Sequence, residues 1–364
     1  MPPAESLLAA KRAPPEPCVA PYQAGYSLDF RVLETTNSNN IVAGCKPITA
    51  NIVHIISTSK AVVMHVTLNT KPQPTSAILK LYDRRFGTSL RRDSKGRHVP
   101  CRVSYDRAFQ SFVLRGAMAR FLKRVEEMEQ DTPPAHWIEG SNGQAKFEAA
   151  LWRTARQHFR TEVEVYKRLE DIQGVLIPNM YATVLLATNV TPSNYFNVNG
   201  ILLQFLPGCT LYDLPQSPSA PESQQVWSAL VQTVVDSVYE INKRGIIMED
   251  SGPHNVIFDV VSKKPFIVDF AECVFKDILF EVWEETAFEE GEKDWCAERE
   301  WAEIVKREDS STSIGWFMVK EVEKVLGFTI DIKFPGREKA IEDDAPVDQG
   351  TAGDGSKGGG AGAA

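Results

Sequence analysis

The sequence predicts an α+β chain in two halves, a small β-rich half followed by a mainly helical one. Three observations predict it. Runs rich in β-branched residues crowd positions 51–83, and two long patterns with apolar residues at three- and four-residue spacing occupy 145–173 and 225–245. Between them stands the connector Leu206-Pro207-Gly208. Two bodies meeting at such a connector leave a cleft, a common place for a ligand.

Residues 1–45 are punctuated by Pro and Asn and read as an irregular lead-in. NIVHIISTSKAVVMHVTL at 51–68 reads as two strands around the turn Ser57-Thr58-Ser59-Lys60, both arms suited to a hairpin. After a loop with two prolines, a third strand spans 77–83 and carries Lys80. A helix is expected over 109–129, a longer one over 145–173, and strands within 174–189 and 199–207. The Pro- and Ser-rich spacer at 213–223 leads into the helix at 225–245, with Gly245 as its C-cap. Two apolar runs, NVIFD and PFIVDF, then flank the polar link VVSKK, and acidic helical segments continue to Leu326. The Gly/Ala-rich tail from about Ala340 reads as disordered.

The chain has 364 residues, 43% hydrophobic and 24% charged, ordinary values for a protein with a core. Its formal charge of -8 argues against coating nucleic acid. The segment 83–107 carries eight Arg/Lys against three Asp, and 281–309 carries twelve Asp/Glu against four Arg/Lys; both read as solvated surface. The six cysteines lack metal-ligand spacing and read as reduced thiols of an intracellular, cytoplasmic or nuclear protein. No secretory signal or membrane-spanning run stands out, so no membrane partner is expected.

The chemistry concentrates at GIIMEDSGPHNVIFDVVSKKPFIVDFAEC, where Asp250, Asn255 and Asp269 border apolar strands. Aspartate and asparagine are poor strand formers, and a buried carboxylate needs a partner. Either these side chains cap loops, or they hold a cation and a reacting group. Upstream, Lys80 lies inside a strand, where its ammonium must find an anion, and E-V-E-V-Y-K sets Glu162 and Glu164 on a helix.

Strand Lys, helix Glu, Asp with Asn five residues later, then Asp-Phe after an apolar run: this order resembles the protein-kinase-like superfamily over roughly residues 50–275. The wide gap between Lys80 and Glu162, with LKLYDRRFGTSLR, is most similar to kinase-like proteins of filamentous and mushroom-forming fungi. The resemblance implies a bilobal kinase-like fold with a small β-rich N-lobe and an abbreviated, mainly helical C-lobe. The N-lobe would span 46–206 with an insertion at 84–145, the C-lobe 207–335, and a disordered tail 336–364. It implies ATP and magnesium as cofactors and transfer to a protein Ser/Thr hydroxyl. Lys80 would meet the nucleotide phosphates and pair with Glu162, and Gln204 would lie at the interlobe hinge beside the nucleotide. Ser57, Thr58 and Ser59 would stand at the phosphate loop. Asp250 would orient the acceptor hydroxyl, while Asn255 and Asp269 would hold magnesium.

Three departures stand against the kinase pattern. Met248-Glu249 replace the His-Arg before the catalytic aspartate, Ala271 replaces the metal-loop glycine, and the turn STSK has no glycine to bring backbone N–H groups near phosphate. They leave open a nucleotide-binding module without transfer activity. The D-x-x-P-x-N spacing of Asp250, Pro253 and Asn255 also fits small-molecule kinases of the aminoglycoside and choline type.

Overall fold

A computed structural model describes residues 16–36, 42, 47–70, 73–128, 132–188, 190–290, 296–308 and 310–335. Six strands, β1 (Ser27–Thr35), β2 (Ile48–Ser57), β3 (Val62–Leu68), β4 (Thr75–Leu81), β5 (Met180–Leu186) and β6 (Val198–Gln204), close into an antiparallel barrel ordered β1-β2-β3-β4-β6-β5. Side chains on a strand alternate between faces, and on β3 the inner set is Val62, Met64, Val66 and Leu68, all buried. Ala77, Leu79 and Leu81 of β4 fill the same interior. Strand β1 closes the ring by pairing with β2 on one side (Ser27 opposite Asn51) and β5 on the other (Arg31 opposite Leu185). A register shift between Val32 and Glu34 gives β1 the local bend that closure requires.

This corrects the bilobal kinase-like expectation. The first half of the chain is a closed six-stranded barrel, not a small lobe beside an abbreviated helical one, and eight α-helices accompany it among the described residues. The strand that makes the difference lies in the expected lead-in. In SLDFRVLET the outward positions Asp29, Arg31 and Glu34 are charged and hide the inward set Leu28, Phe30 and Val32. Apolar packing is also continuous between the halves. Ala61, Ile201 and Leu203 share one buried cluster with Trp227, Val231 and Val256 from the second half. Residues 1–15, 37–41 and 43–46 of the expected lead-in and its border, and the tail from residue 336, lie outside the described residues.

After β4 the chain forms α1 (Val103–Leu114) and α2 (Ala117–Glu126) where one helix was expected. Gly116, at φ +69°, breaks the helix in a conformation that suits glycine. The two pack on α3 (Gly143–Arg168) through Phe109, Phe112, Phe121 and Trp137. The basic run 83–107 is not all solvated surface. Arg91 is fully buried and makes a two-pronged pair with Glu148 of α3 at 2.5 and 3.1 Å; Arg84 is paired with Glu148 and Asp106. Planar guanidinium groups suit such buried forks. Burial, with Glu148 beside it, pushes the neighbouring Cys101 thiol up to about 12, so it stays protonated.

A short α4 (Ser193–Phe196) precedes β6. The second half then runs β7 (Gly208–Thr210), α5 (Gln224–Lys243), β8 (Ile246–Met248), β9 (Val256–Asp259), β10 (Lys264–Ile267), β11 (Cys273–Phe275), α6 (Lys276–Glu290), α7 (Ala297–Glu308) and α8 (Ser310–Leu326). Ser223 caps α5 by accepting the Val226 N–H, and Gly245 at φ +77° ends it as expected. Strands β9 and β10 form the hairpin read from NVIFD and PFIVDF, with β7 on the far side of β9; β8 pairs with β11. The five described cysteines are free thiols, and Cys45 lies outside the described residues.

Glu148→Leu strips buried Arg91 of its counter-charge and leaves Arg84 with Asp106 alone. It is expected to destabilise the protein by about 3–5 kcal/mol, the scale of a broken buried pair. Urea unfolding measures this, and a loss under about 1 kcal/mol would mean that the network contributes little.

Candidate active site

Four segments converge on one group of charges. Alternation along β4 turns Leu79 and Leu81 into the barrel and Lys80 out of it, against α3 and the second half. Lys80 is nearly inaccessible, with Nζ 2.6 Å from Glu162 Oε2 of α3 and 2.6 Å from Asp269 Oδ1, just after β10. The Tyr82 hydroxyl also donates to Glu162 Oε2, while Glu162 Oε1 is buried with no partner among the described residues. Glu164, the alternative on the same helix, is spent on an ion pair with Arg168 at 2.7 Å.

Protonation follows from these distances. Burial works against the Lys80 ammonium, but Asp269 and Glu162 outweigh it and raise the pKa above the usual lysine value. Burial pushes the Asp269 carboxyl up, Lys80 overrides it, and the net pKa is lowered. For Glu162 burial wins over Lys80, and its carboxyl is raised. A charged Lys80–Asp269 pair thus sits beside a carboxyl that gives up its proton less readily.

The Asp269 backbone is itself unusual, at φ +66°, which costs a side-chain-bearing residue energy that neighbouring contacts must sustain. Ala271 is not among the positive-φ residues, so the missing glycine leaves no strain at that position. The second departure loses its force there.

The loop after β8 carries Asp250 and Asn255. Asn255 Nδ2 donates to the Asp250 carbonyl at 2.7 Å, which commits the amide nitrogen and leaves Oδ1 without a described donor. Met248 is buried in the apolar core, and the loop is braced through the backbone: β8 pairs with β11, Glu249 N donates to the Glu272 carbonyl, and Ser310 Oγ donates to the Met248 carbonyl. An apolar anchor and strand pairing replace the polar brace that the sequence lacks. His254 stands 3.7 Å from Asp250 Oδ1 and is exposed.

Sequence reasoning did not assign Lys60, Glu272, His158 or Tyr82 to the site. Lys60 Nζ lies 2.6 Å from Asp250 Oδ2 and 2.5 Å from Glu272 Oε2, joining the β2–β3 turn to both loops of the second half. Burial pulls its pKa down, but the hydrogen bonds to Asp250 and Glu272 prevail and raise it. His158 of α3 faces Glu272 at 3.7 Å. The available signals were weak: a lysine closing a polar turn, and a carboxylate three residues after Asp269.

Lys80, Glu162, Asp250, Asn255 and Asp269 are brought together, with Lys60 bridging. Ser57, Thr58 and Ser59 are not: Ser57 Oγ accepts the Ser59 N–H, and the Thr58 and Ser59 carbonyls accept from Thr88 and Ser89. Gln204 is engaged elsewhere, its amide oxygen accepting from the backbone and side chain of Asn179. A cavity of about 670 Å³ lined by Val175, Leu176, Val226, Leu230 and Phe258 lies apart from this cluster.

Among the described residues no three His, Cys, Asp or Glu side chains gather as a metal site, and no helix is long and apolar enough to cross a membrane. No protein-family model and no curated protein matches the chain.

His158 supplies a pH test. Burial holds its ring below the ordinary histidine range, with Lys60 and Lys80 adding to this and Glu272 opposing. The unfolded chain takes up this proton near pH 6.5 and the folded chain only lower, so stability falls as pH drops below about 6.5. His158→Asn is expected to shrink the loss of Tm between pH 7 and pH 5. The same loss in both proteins would assign the acid sensitivity to other groups.

Proposed function

We propose that this protein is an ATP- and magnesium-dependent phosphotransferase, nominally acting on a protein Ser/Thr hydroxyl. The observation that carries the reading is Lys80, held between Glu162 and Asp269 beside a loop in which Asn255 is bonded to Asp250. The ordered motif likeness to protein-kinase-like sequences supports the chemistry; the reading rests on this side-chain set and not on fold class.

Phosphoryl transfer asks a protein mainly for positioning and for neutralising a polyanion. A charged Lys80 supplies a fixed cation for nucleotide phosphates. Magnesium takes oxygen ligands and keeps several waters, often with only one or two carboxylates from the protein. Asn255 Oδ1 and the ionised Asp269 fit that donor set, the remaining positions falling to phosphate oxygens and water. When bound, the ion would neutralise charge on the phosphates. Asp250, part exposed, would orient an acceptor hydroxyl and take its proton.

A second reading, a nucleotide-binding module without transfer, draws on Asp250 and Asp269 both being engaged already by lysines. An intracellular setting, cytoplasmic or nuclear, agrees with the free thiols.

ATP turnover with magnesium, compared between wild type and Asp269→Ala, separates the readings. Loss of at least about 100-fold in the variant is expected, the scale of removing one preorganised electrostatic group. Equal turnover would remove Asp269 from the chemistry. Stabilisation of the wild type by nucleotide with magnesium but no turnover would favour the module.

A further inference from the structure

Lys60 is the cation of this cluster that the reaction outlined above leaves unused. The β2–β3 turn that bears it is anchored to residues 87–89, and one of its N–H groups is already committed. The Thr88 and Ser89 N–H groups donate to the Thr58 and Ser59 carbonyls at 2.8 and 3.0 Å, and both hydroxyls add bonds to the same carbonyls. The Ser59 N–H is directed to Ser57 Oγ. Gly87 packs so closely that a Cβ there would lie 3.1 Å from the Lys60 carbonyl. With the main chain tied to residues 87–89, the group that the turn delivers to the charged cluster is the Lys60 ammonium. It arrives mostly buried, 2.6 Å from the carboxylate that faces the acceptor.

We propose that Lys60 is a catalytic residue whose ammonium contacts the terminal phosphoryl group of ATP during transfer, with residues 87–89 as the element that positions it. The proposal rests on the phosphotransferase reading. A phosphoryl group passing from a nucleotide held at Lys80 to a hydroxyl held at Asp250 crosses the space between these two residues, and Lys60 is bonded on its Asp250 side. In the step, the acceptor oxygen bonds to the terminal phosphorus, and the bond from that phosphorus to the bridging oxygen breaks. The electron pair leaves on ADP, and the acceptor proton passes to Asp250. Lys60 exchanges no proton; it trades its contact with Glu272 for the oxygens of the moving group, where charge gathers. A side-chain ammonium thereby replaces the N–H groups that a glycine-rich turn would present.

The test compares wild type, Lys60→Met and Lys60→Arg. With magnesium, the affinity for ADP and for a non-hydrolysable ATP analogue is measured, then kcat and KM for ATP. Wild type is expected to prefer the ATP analogue, and Lys60→Met to lose about 10-fold or more of that preference while binding ADP nearly as before, as for one lost charge-assisted contact. Turnover is expected to fall about 100-fold with KM changing less than kcat, and Lys60→Arg to recover part of it. An unchanged ATP-to-ADP preference overturns the proposal. So does faster turnover in Lys60→Met, which would make Lys60 a latch that masks Asp250. Wild-type protein that binds nucleotide without turning it over sinks the phosphotransferase reading, and the ATP-to-ADP comparison alone then decides whether Lys60 touches the terminal phosphate. Absence of nucleotide binding by wild type overturns both.

Discussion

An ammonium removed from water must be repaid by nearby negative charge, and the placement of Lys80 organises much of the structure around that requirement. Strand alternation sends Lys80 out of the barrel wall, where α3 answers with Glu162 and the segment after β10 with Asp269. Three pieces of chain far apart in sequence are thus fixed to one atom. Removing either carboxylate would leave the ammonium half-answered, an arrangement that proteins tolerate poorly. The Tyr82 hydroxyl tightens the same knot by donating to Glu162. The left-handed backbone of Asp269 is the local cost of aiming its carboxylate at Lys80.

The barrel supplies the rigidity that makes this placement reproducible. Lys80 lies in register between Val63 on β3 and Ile201 on β6, hydrogen-bonded strands on both sides, so its backbone has little room to shift. Strand β1 supplies none of the charged cluster's side chains, yet its pairing with both β2 and β5 removes the free edges of the sheet. The loop after β4 acts on the other partner. Arg84 and Arg91 hold Glu148 in the first half of α3, and the same long helix presents Glu162 further along. The segment between β4 and α3 therefore steadies both the helix that answers Lys80 and the turn that carries Lys60.

Legibility in the sequence followed the strength of the local signal. Lys80, Asp250, Asn255 and Asp269 could be read because they lie in or beside apolar runs and follow one another in a recognisable order. The hairpin of β9 and β10 and the helix α5 announced themselves by periodicity and a glycine stop. Strand β1 did not, since its outward charges mask a short inward set, and its pairing with β5 joins residues some 150 positions apart. The fold class failed with it. Lys60 and Glu272 were hidden for a different reason: each looks like an ordinary surface charge until the halves are brought together. Gln204 shows the converse, a polar residue at the expected connector whose amide is consumed by Asn179.

The continuous apolar cluster that runs from Ala61 to Ile330 bears on how a ligand could enter. Cleft proteins often admit their ligands by swinging two bodies apart on a hinge. Here such a swing would expose packed side chains on both sides of the connector and forfeit their burial. The polar turn at residues 57–60 is held mainly by hydrogen bonds and ion pairs, which water and an incoming polyanion can replace. Exchanging those polar contacts forfeits less buried apolar surface than separating the two halves would.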